Sequence, residues 1–196
     1  MKKLLMSVTL LIAGVASAQN LSIDAVANGD RSTFSSSIST SSFSTSAGNE
    51  LLLAFVCADS RGTPNTTVTS VSGGGLSWQR VQRANTQLGT AEIWRAFAAS
   101  LLGGARVTAN LSQSVAASIT VVTFTGVDTS GVNGAGAIGA SASTGAPSGA
   151  PSLSLTTTRN NSWVIGVGND WDNPISRTLG PNQTLVHQFM PAVGDT

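Results

Sequence analysis

The chain has one cysteine, one histidine, two glutamates and, past residue 3, no lysine. A single cysteine, Cys57, excludes an internal disulfide as the basis of the fold. One histidine and one cysteine are too few for a zinc centre. Charged residues make up 10% of the chain and aromatic residues 5%. Nothing clusters into the basic face that nucleic acid or anionic lipid would require. Beyond the N-terminus no stretch approaches the run of about 18 apolar residues of a membrane helix. The two glutamates, Glu50 and Glu92, stand in no recognisable glycosidase setting. Serines abound, but no Gly-x-Ser-x-Gly turn frames one as a nucleophile. Glycine-rich stretches lack the Lys-Ser/Thr ending of a phosphate loop.

What is present begins with an export label. Lys2 and Lys3 form a basic n-region, residues 4–15 an apolar core, and Ala16-Ser17-Ala18 a small-x-small cleavage site. Residues 1–18 are therefore read as a signal peptide and the product as secreted, with Gln19 as its first residue and no membrane anchor after cleavage. Losing two of the ten basic residues leaves eight arginines against nine acids, a formal charge of −1. About 178 residues remain, the size of one domain, placed at 19–196. The 41% hydrophobic content falls in periodic runs, so a core can form where composition alone would hint at disorder.

Those runs have strand length and strand period. Strands are expected at 22–27, 36–43, 51–57, 66–71, 76–83, 90–97, 106–111 and 117–125. Residues 51–57 (LLLAFVC) are apolar on both faces, as in a covered central strand, and Cys57 reads there as a small buried hydrophobe. The run SITVVTFT has the β-branched density of an interior strand. In TAEIWRAF, Glu92, Trp94 and Ala96 share one face and Ala91, Ile93 and Arg95 the other. Residues 129–151 are a Gly/Ala/Ser loop with one weak edge strand at 137–142. Periodicity resumes at 152–158, 163–168 and 184–189. No segment holds helical spacing over three turns; only 96–102 would make a short turn. The expectation is an all-β fold, an antiparallel two-sheet sandwich with jelly-roll or Ig-like topology.

The halves echo each other. A Ser/Thr strand, a turn with Asn49 and ELLLAFVCAD match SLSLTTT, a turn with Asn161 and SWVIGVGND. The first half continues into EIWRAFA, whereas the second reaches Gly194-Asp195-Thr196 where that strand would begin. Two similar halves favour the jelly-roll, and the echo carries the expectation that the domain is truncated at its C-terminus.

Chemistry concentrates in Asn169-Asp170-Trp171-Asp172-Asn173, directly after an expected buried strand. Asp170 and Asp172 with the amide oxygens of Asn169 and Asn173 are hard ligands suited to calcium, although the EF-hand offsets are missing. The same five residues read, before that, as a structural turn. They also read as a ligand-contacting loop in which Trp171 stacks on a sugar while the aspartates accept hydroxyl hydrogen bonds. Trp78 and Trp94, on neighbouring strands, form either a carbohydrate platform or a cross-strand core pair. Arg80, Arg83 and Arg95 are expected on an outward face. His187, alternating with Leu185 and Phe189, reads as a satisfied core or boundary histidine.

The stretches NELLLAFVCADS (49–60), GLSWQRVQRANTQLGTAEIWRAFA (75–98), VVTFTGVD (121–128) and SWVIGVGNDWDNPISRTLGPNQTLVHQ (162–188) resemble an uncharacterised β-sandwich domain of secreted bacterial proteins. The resemblance implies a non-catalytic module, found beside fibronectin-type, carbohydrate-binding or galactose-oxidase-like domains, and supplies no catalytic residues. Members usually run past a GDT-like segment into a tryptophan-containing strand, which this chain lacks. The combined expectation is a secreted, non-enzymatic accessory or surface module that binds an extracellular polysaccharide or packs on a neighbouring domain. Its rivals are a structural or adhesive spacer and an extracellular hydrolase.

Overall fold

The computed structural model describes residues 20–170 and 175–190. Residues 1–19, 171–174 and 191–196 lie outside the described residues, and with them the expected signal peptide and the candidate site residues Trp171, Asp172 and Asn173. Six strands form: β1 (Ser22–Ser39), β2 (Glu50–Ala58), β3 (Val68–Gly73), β4 (Gln79–Ala84), β5 (Thr90–Ala98) and β6 (Val107–Thr125). A 3₁₀ segment, Val132–Ala137, follows them. The protein is all-β: one antiparallel sheet in the order β1-β6-β2-β5-β4, with β3 pairing β6.

Two pairs of expected short strands are each a single long one. Residues 22–27 and the first half of 36–43 belong to β1, and 107–111 and 117–125 belong to β6. Hydroxyl pairs carry the ladder where apolar residues run out: Ser39 Oγ and Thr108 Oγ1 lie 2.7 Å apart. This long β1–β6 ribbon doubles back on itself. Ser41 N–H donates to the Asn28 carbonyl at 2.8 Å, and Gly29 lies so close to the Ser39 backbone that a Cβ would sit 1.9 Å from its carbonyl oxygen. Only glycine permits that approach.

The main core fills the hollow of this bend. Leu52, Ala54 and Val56 of β2, Val68 and Val71 of β3, Trp94 of β5 and Ile119 and Val121 of β6 form one buried cluster. The alternate side chains of the same strands, Leu51, Leu53, Phe55, Val122 and Phe124, make a second cluster on the opposite sheet face. β2 is thus covered on both faces, as its unbroken apolar run requires.

Glu92 ties β3 to the β4–β5 hairpin from inside the core. Its carboxylate is fully buried and accepts from Val68 N–H at 2.7 Å, Arg83 Nε at 2.7 Å, Thr90 Oγ1 at 3.2 Å and Trp94 Nε1 at 3.0 Å. Arg83 also donates to the Val68 carbonyl at 2.9 Å. A buried ion pair persists when its remaining polar atoms are satisfied in this way. At the start of β2, burial pushes the Glu50 carboxyl above its ordinary pKa, and Asp24 beside it adds to the rise. Hydrogen bonds from Ser46 hold Asp24 below its own.

The expected strands at 137–142, 152–158, 163–168 and 184–189 do not form; past Thr125 the described residues contain no strand. Residues 163–168 are also not interior, since Trp163 is 49% and Val164 66% exposed. The physical reason is placement. This segment crosses the second face of the sheet, where a few side chains such as Ile138 and Val167 meet apolar partners. Among the described residues its backbone joins no ladder with the sheet. The short helical turn expected at 96–102 is absent as well, because β5 runs to Ala98 and bends follow.

Candidate cleft beneath the C-terminal segment

Between the second sheet face and residues 126–190 runs a cleft of about 2320 Å³. Its floor is Leu53, Phe55, Ile93, Thr120 and Val122, and its roof includes Trp163, Gly168 and His187. The period-two alternation of β2, β5 and β6 supplies this floor, because Leu53, Phe55, Ile93, Thr120 and Val122 lie on the face turned away from the main core.

The roof is pinned at several points. Cys57 Sγ donates to the Gly168 carbonyl at 3.2 Å, and Asn169 Nδ2 to the Ala58 carbonyl at 3.2 Å. Cys57, expected as a buried hydrophobe, is half-buried and lines the cleft, and burial of its thiol pushes the pKa up to about 12. Arg159 pairs with Asp128. Hydrogen bonds from Ser130, aided by Arg159, hold the Asp128 carboxyl well below the usual carboxylate range. Trp163 meets Phe124 edge-on, with ring centroids 6.3 Å apart and planes at 86°.

His187 makes the densest polar contact. Its Nε2 lies 3.1 Å from Asp30 Oδ2 and 2.7 Å from the Asn28 amide, and its Nδ1 lies 3.0 Å from Thr120 Oγ1. Ser118 Oγ donates to the other Asp30 oxygen at 2.7 Å. The Asn28 amide nitrogen, a donor, and the Asp30 carboxylate, an acceptor, both face Nε2, while the Thr120 hydroxyl can donate to or accept from Nδ1. Carboxylate, imidazole and hydroxyl in a row have the order of a base-activated nucleophile. Thr120, however, is buried to 7% exposure, and its stretch of β6 is paired with β1 and β2. Its neighbouring N–H groups are therefore committed to ladders, and an oxyanion would find no free donors there. The arrangement suits a clasp between the C-terminal segment and the sheet.

The five-residue cluster is visible only at its beginning. Asn169 Nδ2 donates to the Ala58 carbonyl, and Asp170 pairs with Arg177. No group of three or more His, Cys, Asp or Glu side chains converges among the described residues. Trp94 is 9% exposed and sits in the main core, and Trp78 packs against that core with its Nε1 donating to the Gly73 carbonyl at 3.2 Å. The two indoles are committed to the interior and offer no shared open platform. Of the arginines expected to face outward, Arg83 turns inward to Glu92. Arg95 donates to Gln79 Oε1 at 2.7 Å and to the carbonyls of Val132 and Asn133.

Trp163, half-exposed at the cleft, was not among the residues that sequence reasoning singled out. Its apolar neighbours Val164 and Ile165 gave the pattern of an interior strand, and no local signal marked it as exposed. Comparison with known protein families, with curated proteins and with solved structures finds no match to this chain.

Proposed function

We propose that the chain is an exported, non-catalytic recognition module, a two-layer β-sandwich of jelly-roll type, that takes a neutral extended polymer of the polysaccharide class along this cleft. The observation that carries the reading is Trp163. Its indole is half-exposed at the cleft and braced edge-on by Phe124, and a braced aromatic face is what a sugar ring stacks on. The lining agrees with an uncharged ligand. Its acids and arginines are paired with each other, Asp128 with Arg159 and Asp170 with Arg177, while hydroxyls, amides and glycine backbone make up much of the rest.

A glycan array probed with the secreted protein tests this, with Trp163→Ala as the paired sample. Binding that falls by about tenfold or more in the variant is expected, the loss of one stacked ring being worth about 1–1.5 kcal/mol. The rival, a structural or adhesive spacer beside another domain, predicts no retained glycan on either protein.

A further inference from the structure

A second constellation lies on the main-core side of the sheet, at the other end of β2 from Cys57. Glu50 opens β2 with its side chain completely buried, and neither carboxyl oxygen has a hydrogen-bond partner. The Thr123 hydroxyl of β6, the Ala47 N–H and the Asp24 carboxylate of β1 stand beside it, none of them in hydrogen-bond geometry with its oxygens. Asp24 sits in an irregularity of β1, where the register jumps from Ile23–Phe124 to Val26–Val122. Two residues, Asp24 and Ala25, thus oppose Thr123 alone. Such a bulge redirects a side chain that a regular strand would place elsewhere. The loop before β2 closes the group from above: Ser46 N–H donates to Asp24 Oδ2 at 2.7 Å, and Ser46 Oγ donates to Asp24 Oδ1. No arginine or histidine makes an ion pair with either acid among the described residues.

Two carboxylates from different strands therefore converge, one of them buried with both oxygens unused. An orphaned buried carboxylate costs several kcal/mol, and natural structures rarely leave one without a reason. We propose that Asp24, Glu50, Ser46 and Thr123 form a binding site for a hard divalent cation of the calcium type. Calcium takes about six to eight oxygen ligands. The two carboxylates supply up to four, the two hydroxyls two more, and water reaches the exposed side at Ser46. A bound ion would turn the orphaned oxygens into ligands and cancel the charge that the two acids bring together. It would also cross-link β1, β2, β6 and the loop at Ser46, four separate parts of the chain. The site is independent of the cleft and of the acidic cluster at Asp170.

The deciding experiment is a thermal melt of the full secreted protein after chelator treatment, titrated with calcium chloride and, in parallel, with magnesium chloride. The melting temperature is expected to rise with calcium. At about one hundred times Kd the folded-to-unfolded ratio increases roughly 100-fold. Glu50→Gln should remove the rise, Asp24→Asn should weaken binding by at least about tenfold, and Asp170→Ala should leave it intact. No response of the wild type to millimolar calcium would overturn the proposal and leave Glu50 and Asp24 as a pair sharing a proton. A response that survives Glu50→Gln, or vanishes in Asp170→Ala, would overturn it in favour of another site. If Glu50→Gln fails to fold, Thr123→Val removes one ligand at nearly constant volume; an unchanged affinity in a terbium luminescence titration of that variant would equally refute the site.

Discussion

β2 and residues 163–168 carry nearly the same message in sequence, ELLLAFVCA against WVIGVG, and meet opposite fates. In β2, Leu52, Ala54 and Val56 are fully buried, and all nine residues pair with β5. In the later run Val164 is two-thirds exposed and the backbone joins no strand. Apolar periodicity states which side chains would gain from burial. Whether they are buried depends on neighbours that offer hydrogen bonds along both edges, and β2 has β5 and β6 for this. The later run lies across the face those strands present and has only a few side-chain anchors. Local opening free energies should differ accordingly, high in the sheet and low in the segment crossing it.

The largest expected effect strikes the sheet side of that contrast. Glu92→Ala removes the acceptor for Arg83, Trp94, Thr90 and Val68 N–H at once and strands a half-buried guanidinium. A loss of about 3–5 kcal/mol is expected, measured by denaturant unfolding. A loss under about 1 kcal/mol would show that β3 and the β4–β5 hairpin do not depend on this acid.

Cys57 tests the boundary between the regions. Its thiol pKa rises from 9.0 to about 12 on folding, so between those values the native state holds a proton the unfolded chain has lost. The stability this contributes is complete below pH 9 and drains away as pH climbs toward about 12. Iodoacetamide, which needs the thiolate, should label the native protein slowly at pH 8 and the unfolded protein quickly. Asn169→Ala, which frees the covering segment from Ala58, should speed native labelling. Rapid labelling of the wild type would mean that the segment does not cover Cys57.

The smallest effect is expected on the far side. Val164→Ser replaces an exposed residue that touches no core cluster and should change stability by under about 0.5 kcal/mol, within the resolution of a urea titration. A cost of about 2 kcal/mol would place residues 163–168 in an interior after all.

Legibility in the sequence follows the same division. The strands from 22 to 125 were readable because alternation, β-branched density and glycine turns agreed, and only their junctions were lost, hidden in Ser/Thr runs without apolar markers. Glu92 beside Trp94 on the core-facing register was a readable sign that a cation had to turn inward. Arg83, directly across the hairpin from it, was instead expected to face water. Glu50 was visible as one of two glutamates, but not its convergence with Asp24, which depends on a register jump that no local pattern announces. The Asp30–His187 contact spans 157 positions and was likewise beyond local reading.

The irregularity of β1 has one more consequence. β1 terminates the strand order and is long enough to serve as a template for a stranger's backbone, the usual seed of fibrils. Its rungs are misaligned in three places, after Ile23, after Arg31 and after Ser35. Near the second break stands Phe34, half in solvent, with the Arg61 guanidinium 5.1 Å above its ring. An incoming chain would zip for a handful of teeth, lose step, and meet a charge parked over the one sticky ring. Faulty carpentry at this rim works against such an addition, and a well-meant straightening of β1 would invite it.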